Sequence, residues 1–187
     1  ECSMIGTEYL ARLRNHSASA SRIVNKMPHN FFWLGMIRIL FPDARIVHCL
    51  RDPMDTCWSI FKNIFETPHP YAQDLEELGG YYRLYRGLMT HWHTVLPGGI
   101  YEIEYERLVA DPEKEIRSLL DSCDLPWDDR CLQFYASDRQ VITSSLAQVR
   151  EPLYGSSIKK WQCYGKELAP LAKSLEGCTM TAAGTDR

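Results

Sequence analysis

Arg51 stands at the end of an apolar run, Val47-His48-Cys49-Leu50, and Asp52-Pro53 follow it at once. Asp before Pro is a signature of a helix start. A guanidinium where a strand ends and a helix begins is suited to a phosphate. It offers a planar fork of donors, and the helix start adds free N–H groups and the positive end of its dipole. Ser59 lies about two turns further on and can add a hydroxyl. The same spacing lets Arg51 pair with Asp52 or Asp55 and lets Ser59 merely fill space, so residue types alone leave both readings open.

Two further stretches carry chemistry. Lys26-Met27-Pro28-His29-Asn30 supplies an ammonium that could neutralise charge on a transferring group and an imidazole that could move a proton. A solvent-facing Lys and a loop His are the plainer alternative. Residues 144–161 combine serines, the cations Arg150, Lys159 and Lys160, and Trp161. Such a segment can fold over a nucleotide, or it can be a polar surface loop with a packed Trp.

The elements that would position these residues can be read from pattern. Thr7 to Asn15 predicts a short helix, and Arg22 to Asn25 a short strand. Asn30 is placed to cap a helix from Phe31 to Leu40. Arg45 to Leu50 has the compact apolar character of a buried parallel strand. A helix is expected from Pro53 to about Phe65, a long one from about Leu75 to Val95, and a stop at Leu96-Pro97-Gly98-Gly99. Ile100 to Glu104 predicts a second strand, Tyr105 to Val109 a helical turn and Pro112 to Cys123 a helix. Pro126 to Phe134 suggests a short helix, 136–155 irregular chain, and Ser156 or Ser157 a cap for a helix through Trp161 and Tyr164. Residues 176–187 are expected to form a flexible tail. Strands alternating with helices give an α/β class with a largely parallel sheet. Two strong strands and one weak one are few for a complete doubly wound sheet, so an N-terminal portion is expected to precede Glu1.

Composition narrows the class. The chain has 187 residues, 45% apolar and 24% charged, with a formal net charge of −3. That argues against broad non-specific binding to nucleic acid, which needs a basic excess. No apolar run reaches the roughly 18–20 residues of a membrane span. The sequence opens on Glu1, with neither an initiator Met nor a signal-peptide pattern, which suggests a start inside a longer protein. Seven Cys, an odd number, occur without Cys-x-x-Cys. They are expected to be reduced, mostly buried thiols of a cytosolic protein. His91 and His93 face different sides of a helix, and no metal site is expected.

Four blocks in order carry a resemblance: Lys26-Met27-Pro28-His29-Asn30, Arg51 through Ser59, Tyr105-Glu106-Arg107-Leu108-Val109, and Gln148 through Tyr154. Together, over roughly Leu10 to Tyr164, they resemble the sulfotransferases that use 3′-phosphoadenylyl sulfate. The closest branch is the tyrosylprotein sulfotransferase-like one, including bacterial domains that follow tetratricopeptide repeats. The resemblance implies a P-loop-NTPase-like parallel sheet flanked by helices, incomplete at its N-terminus, with residues 1–175 as the C-terminal part of a sulfotransferase domain. It implies that Arg51 and Ser59 hold the nucleotide 3′-phosphate, that Tyr105 lines the nucleotide site and that Lys160 reaches nucleotide phosphate. Arg150 is a further cation by proximity. Lys26 and Ser145 match groups that stabilise charge at the reacting centre.

The chain departs from that family in having no Arg-Ser-Gly-Thr-type phosphate loop and no motif for the carboxylate base. Glu1 and Glu8 are nearest in order, and His29 is a substitute candidate. The implied reaction is sulfuryl transfer to an acceptor hydroxyl on a peptide tyrosine, a glycan or a small molecule, without a metal. The alternative is a catalytically incomplete nucleotide-binding or structural fragment. A small kinase would need a Lys-bearing phosphate loop and Mg²⁺ carboxylates, and the sequence has neither. Bacterial relatives imply a cytoplasmic location and tyrosylprotein enzymes a Golgi one; the free-looking thiols favour the cytoplasm.

Overall fold

In the computed structural model of the chain, residues 2–15, 17, 19–63, 69–136 and 150–178 are described. Two short apolar runs form the sheet. Strand β1 (Ile46–Leu50) pairs with β2 (Ile100–Glu104) in parallel, in a register running from Ile46 opposite Ile100 to Leu50 opposite Glu104. Parallel neighbours need a crossover, and two helices provide it. The first, α3 (Pro53–Phe61), follows β1 after two residues, with the Asp52 carboxylate accepting from the Asp55 N–H at 2.9 Å. The second, α4 (Leu75–Val95), has the bounds its pattern predicts. Asp74 caps it by accepting from the N–H groups of Glu76 and Glu77, and Gly98, at φ 68°, turns the chain into β2.

Around this unit lie α1 (Cys2–Arg14), α2 (Leu34–Leu40), α5 (Tyr105–Ala110), α6 (Pro112–Ser122) and α7 (Ala169–Ser174). No sequence pattern had announced α7. Its Leu171, with Leu168 just before it and Leu175 just after, packs with Met54 and Cys57 of α3 and Leu78 and Tyr82 of α4 in the main core. A smaller core joins Leu34, Met89 and Ile100 beside the sheet. Among the described residues no helix is long and apolar enough to cross a membrane.

Several expectations are corrected. Residues 22–25 form no strand: no ladder partner pairs with them among the described residues, Val24 is 89% exposed, and the Asn25 side chain donates to the Tyr9 hydroxyl. Asn30 does not cap a helix. Pro28 starts a 3-10 helix, Pro28–Trp33, two residues earlier, and the Asn30 side chain donates to that of Asn25. Residues 129–136 form two short 3-10 turns across a kink at Gln133, displaced from the expected helix over 126–134. Neither Ser156 nor Ser157 caps the segment after them; a 3-10 helix, Lys160–Tyr164, follows Lys159 in a left-handed conformation, φ 57°. All seven Cys are free thiols, but only Cys57 is buried, and Cys2, Cys49 and Cys163 are exposed. Burial, helped by Cys178 and Asp52 nearby, pushes the Cys57 thiol up to about 12. Of the expected tail, 176–187, residues 179–187 lie outside the described residues, and Cys178 packs against the main core.

At Gly79, α4 lies against Ser174 of α7 with no room for a side chain. A Cβ there would lie 2.5 Å from the Ser174 Cβ and 2.6 Å from its Oγ, whereas one at Gly80 would meet nothing within 4 Å. Gly79→Ala is expected to cost roughly 1–2 kcal/mol, overpacking outweighing the gain in helix propensity. Gly80→Ala should stabilise by about 0.5–1 kcal/mol. Urea denaturation of the two variants measures both.

Candidate functional site

The carboxyl ends of β1 and β2 lie side by side, and in open α/β sheets this edge is where ligands bind. Arg51 leaves β1 there and Tyr105 begins α5 there. The Arg51 guanidinium sits over the Tyr105 ring, 5.0 Å from its centroid, and one terminal N–H donates to the Ser157 carbonyl at 2.8 Å. The Tyr105 hydroxyl donates to the Tyr154 carbonyl at 3.0 Å and lies 3.3 Å from the Ser157 hydroxyl. The main chain of Asp52 donates to Glu106 at 2.9 Å, which ties the start of α3 to the first turn of α5.

Asp55 holds the opposite wall. It is 1% exposed, and its carboxylate accepts from the N–H of Lys159 at 2.5 Å and from that of Trp161 at 3.3 Å. A buried carboxylate satisfied by main-chain donors fixes those donors in place. Residues 155–161 are thereby drawn across α3, and Tyr164 packs on Trp58 with ring centroids 4.6 Å apart. The left-handed Lys159 is the bend this tether imposes.

Between these walls is a cleft of about 430 Å³, within the usual range for a small-molecule site. Arg51, Ser59, Lys62, Tyr105, Tyr154 and Lys160 are among its walls. It carries three cations, Arg51, Lys62 and Lys160, against two carboxylates, Asp55 and Glu151, and Asp55 is already committed to the main chain. Arg51 makes no ion pair with Asp52 or Asp55 among the described residues, and its Nε is buried without a hydrogen-bond partner. A half-buried guanidinium with a neutral carbonyl but no carboxylate as hydrogen-bond partner among the described residues, beside a cleft with a cationic excess, fits an anionic ligand.

The cleft brings together Arg51, Ser59, Tyr105 and Lys160, four of the residues singled out from sequence. It does not include the other candidates. Lys26 is exposed in the extended chain before Pro28, and Arg150 is exposed beside Glu151 without joining the walls. Ser145 lies outside the described residues. His29 packs among Phe31, Phe32 and His69 and sits 3.4 Å from the Tyr71 hydroxyl. Glu8 pairs with Arg12 on the surface of α1. Sequence reading missed Lys62, whose signal was its place one turn beyond Ser59, and missed the tethering role of Asp55, which no local pattern encodes.

The model of the sulfotransferase family matches residues 3–129. The chain is similar to an uncharacterised protein of Aquifex aeolicus, 41% identical over 171 residues, which are 90% of this chain and 22% of that protein. It is similar to protein-tyrosine sulfotransferase A of Caenorhabditis elegans, 26% identical over 162 residues, 78% of this chain and 40% of that protein. The chain thus spans less than half the length of either relative. Among solved structures it is similar to the sulfotransferase domain from the curacin biosynthetic pathway, with a TM-score of 0.65 and 19% identity over 92% of this chain and 68% of that one. This likeness shows the fold: a P-loop-like α/β arrangement with a parallel sheet flanked by helices.

Asp55→Asn keeps one acceptor oxygen and turns the other position into a donor, so one of the two tethered N–H groups loses its partner. The expected cost is about 1–3 kcal/mol, with faster amide exchange confined first to residues 155–164. Hydrogen exchange read by mass spectrometry checks it.

Proposed function

The chain belongs to the sulfotransferase family, and on that premise we propose that the cleft at the ends of β1 and β2 binds the nucleotide of 3′-phosphoadenylyl sulfate for transfer of its sulfuryl group to an acceptor hydroxyl. The observation that carries this reading is Arg51, a charged donor with an unpartnered Nε beside Ser59, Lys62 and Lys160. Arg51 and Ser59 take the 3′-phosphate. The Tyr105 ring lies against the guanidinium and lines the cleft beside it. Lys160, carried on the tethered segment, adds charge from the other wall.

In the reaction a bond forms between the acceptor oxygen and sulfur, and the bond from sulfur to the phosphate oxygen breaks. That oxygen gains negative charge, and Lys26 and Ser145 are the groups proposed to stabilise it as donors. The acceptor proton passes to a base. Protein tyrosine is the proposed acceptor class, in keeping with the name of the nematode relative. A reducing, cytoplasmic setting suits a protein whose Cys2, Cys49 and Cys163 thiols are exposed and free.

Titration calorimetry with adenosine 3′,5′-bisphosphate tests the binding half. Arg51→Ala should weaken binding about 10- to 100-fold, the loss of charge-assisted hydrogen bonds worth roughly 1.5–3 kcal/mol. Lys26→Ala should leave that affinity unchanged and lower the rate of sulfuryl transfer. Equal affinity in Arg51→Ala and the unmodified protein would remove the assignment.

A further inference from the structure

A second polar cluster lies within the sheet, upstream of the cleft. His48 of β1 and Glu102 of β2 are register partners, so their side chains leave the same face of the sheet. His93, in the last turn of α4, meets them over that face. His48 Nδ1 lies 3.0 Å from Glu102 Oε1, and His93 Nε2 lies 2.8 Å from the same oxygen. One donor atom from each residue falls within 4.8 Å of the others. The second nitrogen of His48, Nε2, is hydrogen-bonded to the Tyr85 hydroxyl. The side chains are 11% exposed for His48, 25% for His93 and 21% for Glu102, so the cluster is sheltered yet open to solvent on one side. Burial acts to raise the Glu102 carboxyl, but the hydrogen bonds from the two imidazoles outweigh it and hold the group below its ordinary value. Burial pushes the Tyr85 phenol up to about 12, so it stays protonated at neutral pH.

We propose that His48, His93 and Glu102 form a binding site for a divalent transition metal of the zinc class, with Tyr85 as the outer partner of His48. Two imidazoles and one carboxylate are a donor set that suits Zn²⁺. Mg²⁺ and Ca²⁺ want more oxygen ligands than one carboxylate supplies. In a tetrahedral centre with bonds of about 2.0–2.2 Å, donor atoms stand about 3.3 Å apart. The two nitrogens are already 2.8 and 3.0 Å from the carboxylate oxygen, and all three donor atoms lie within 4.8 Å of one another, so side-chain adjustment alone can bring them to that spacing. On binding, His48 ligates through Nδ1 and keeps its proton on Nε2, where Tyr85 accepts it. A metal-bound imidazole commonly has such a partner on its other nitrogen, which fixes the ring. The fourth position faces the exposed side of His93 and Glu102 and is filled by water.

The site joins β1, β2 and α4. It sits three residues before Arg51 on one strand and three before Tyr105 on the other, about 10 Å of strand in each case. A bound ion would pin the two strand ends from which the cleft is built. This inference stands on its own geometry and does not depend on which nucleotide the cleft takes.

The test uses the whole chain, metal-free, with accessible thiols alkylated by N-ethylmaleimide under native conditions so that exposed Cys cannot compete. Titration with Zn²⁺ should show one equivalent bound and a raised melting temperature. Co²⁺ should give the visible spectrum of a nitrogen and oxygen site with an open coordination position. His93→Ala and Glu102→Gln should each weaken Zn²⁺ binding by more than about 100-fold, and Tyr85→Phe by roughly 10-fold. Circular dichroism reports folding; if Glu102→Gln does not fold, the more exposed His93→Ala carries the test. Absence of binding, wild-type affinity in His93→Ala, or a thiolate charge-transfer band that places Co²⁺ on cysteine would overturn the proposal.

Discussion

The chain passes from β1 into α3 in two residues, Arg51 and Asp52, and Asp52, Asp55 and Glu106 around that turn each accept from main-chain N–H groups, with Glu106 Oε2 buried and unpartnered. Asp52 accepts from Asp55, Asp55 from Lys159 and Trp161, and Glu106 from Asp52. A carboxylate satisfied by backbone donors is a poor partner for a neighbouring cation, because turning toward the cation would strand those donors. Arg51 is therefore left with one carbonyl, one aromatic face and an unpartnered Nε. Had Asp55 paired with Arg51, as residue types allowed, the cleft would lose both its principal cation and the tether that closes it.

What could be read from sequence divides along the range of the forces involved. The long helix from Leu75 to Val95, the strand from Ile100 to Glu104 and the Asp52 cap depend on neighbours a few residues away, and each stands where its pattern puts it. Residues 22–25 fail as a strand because a strand needs a partner ladder, and β pattern alone does not supply one. Helix α7 escaped notice because its six residues gain their order from the main core and not from propensity. The cleft residues on or next to regular elements, Arg51, Ser59 and Tyr105, were legible from strand ends, helix starts and family blocks. Asp55 was not, since its partners stand more than a hundred residues away. The same holds for His48, His93 and Glu102: the neighbouring His91 and His93 invited attention, whereas the geometry selects only one of them and joins it to two strands.

The two strands thus do more than form a small sheet. Their carboxyl ends present Arg51 and Tyr105 to the cleft, and their middles present His48 and Glu102 to α4. Family membership and the P-loop-like fold account for the first arrangement. The second depends on residues that happen to be in register across a parallel pair, with His93 delivered by a helix that ends at the right height.

The tether from Asp55 spans 104 positions to Lys159 and 106 to Trp161. Closing so large a loop costs chain entropy that local helices and the shorter β1–β2 crossover do not incur. Because Leu168 and Leu171, a few residues further on, are held in the main core, release of the two bonds to Asp55 opens the outer wall as a flap while the core remains folded. A ligand that touches both walls acts as a clasp on that flap, and its binding free energy becomes resistance to partial unfolding.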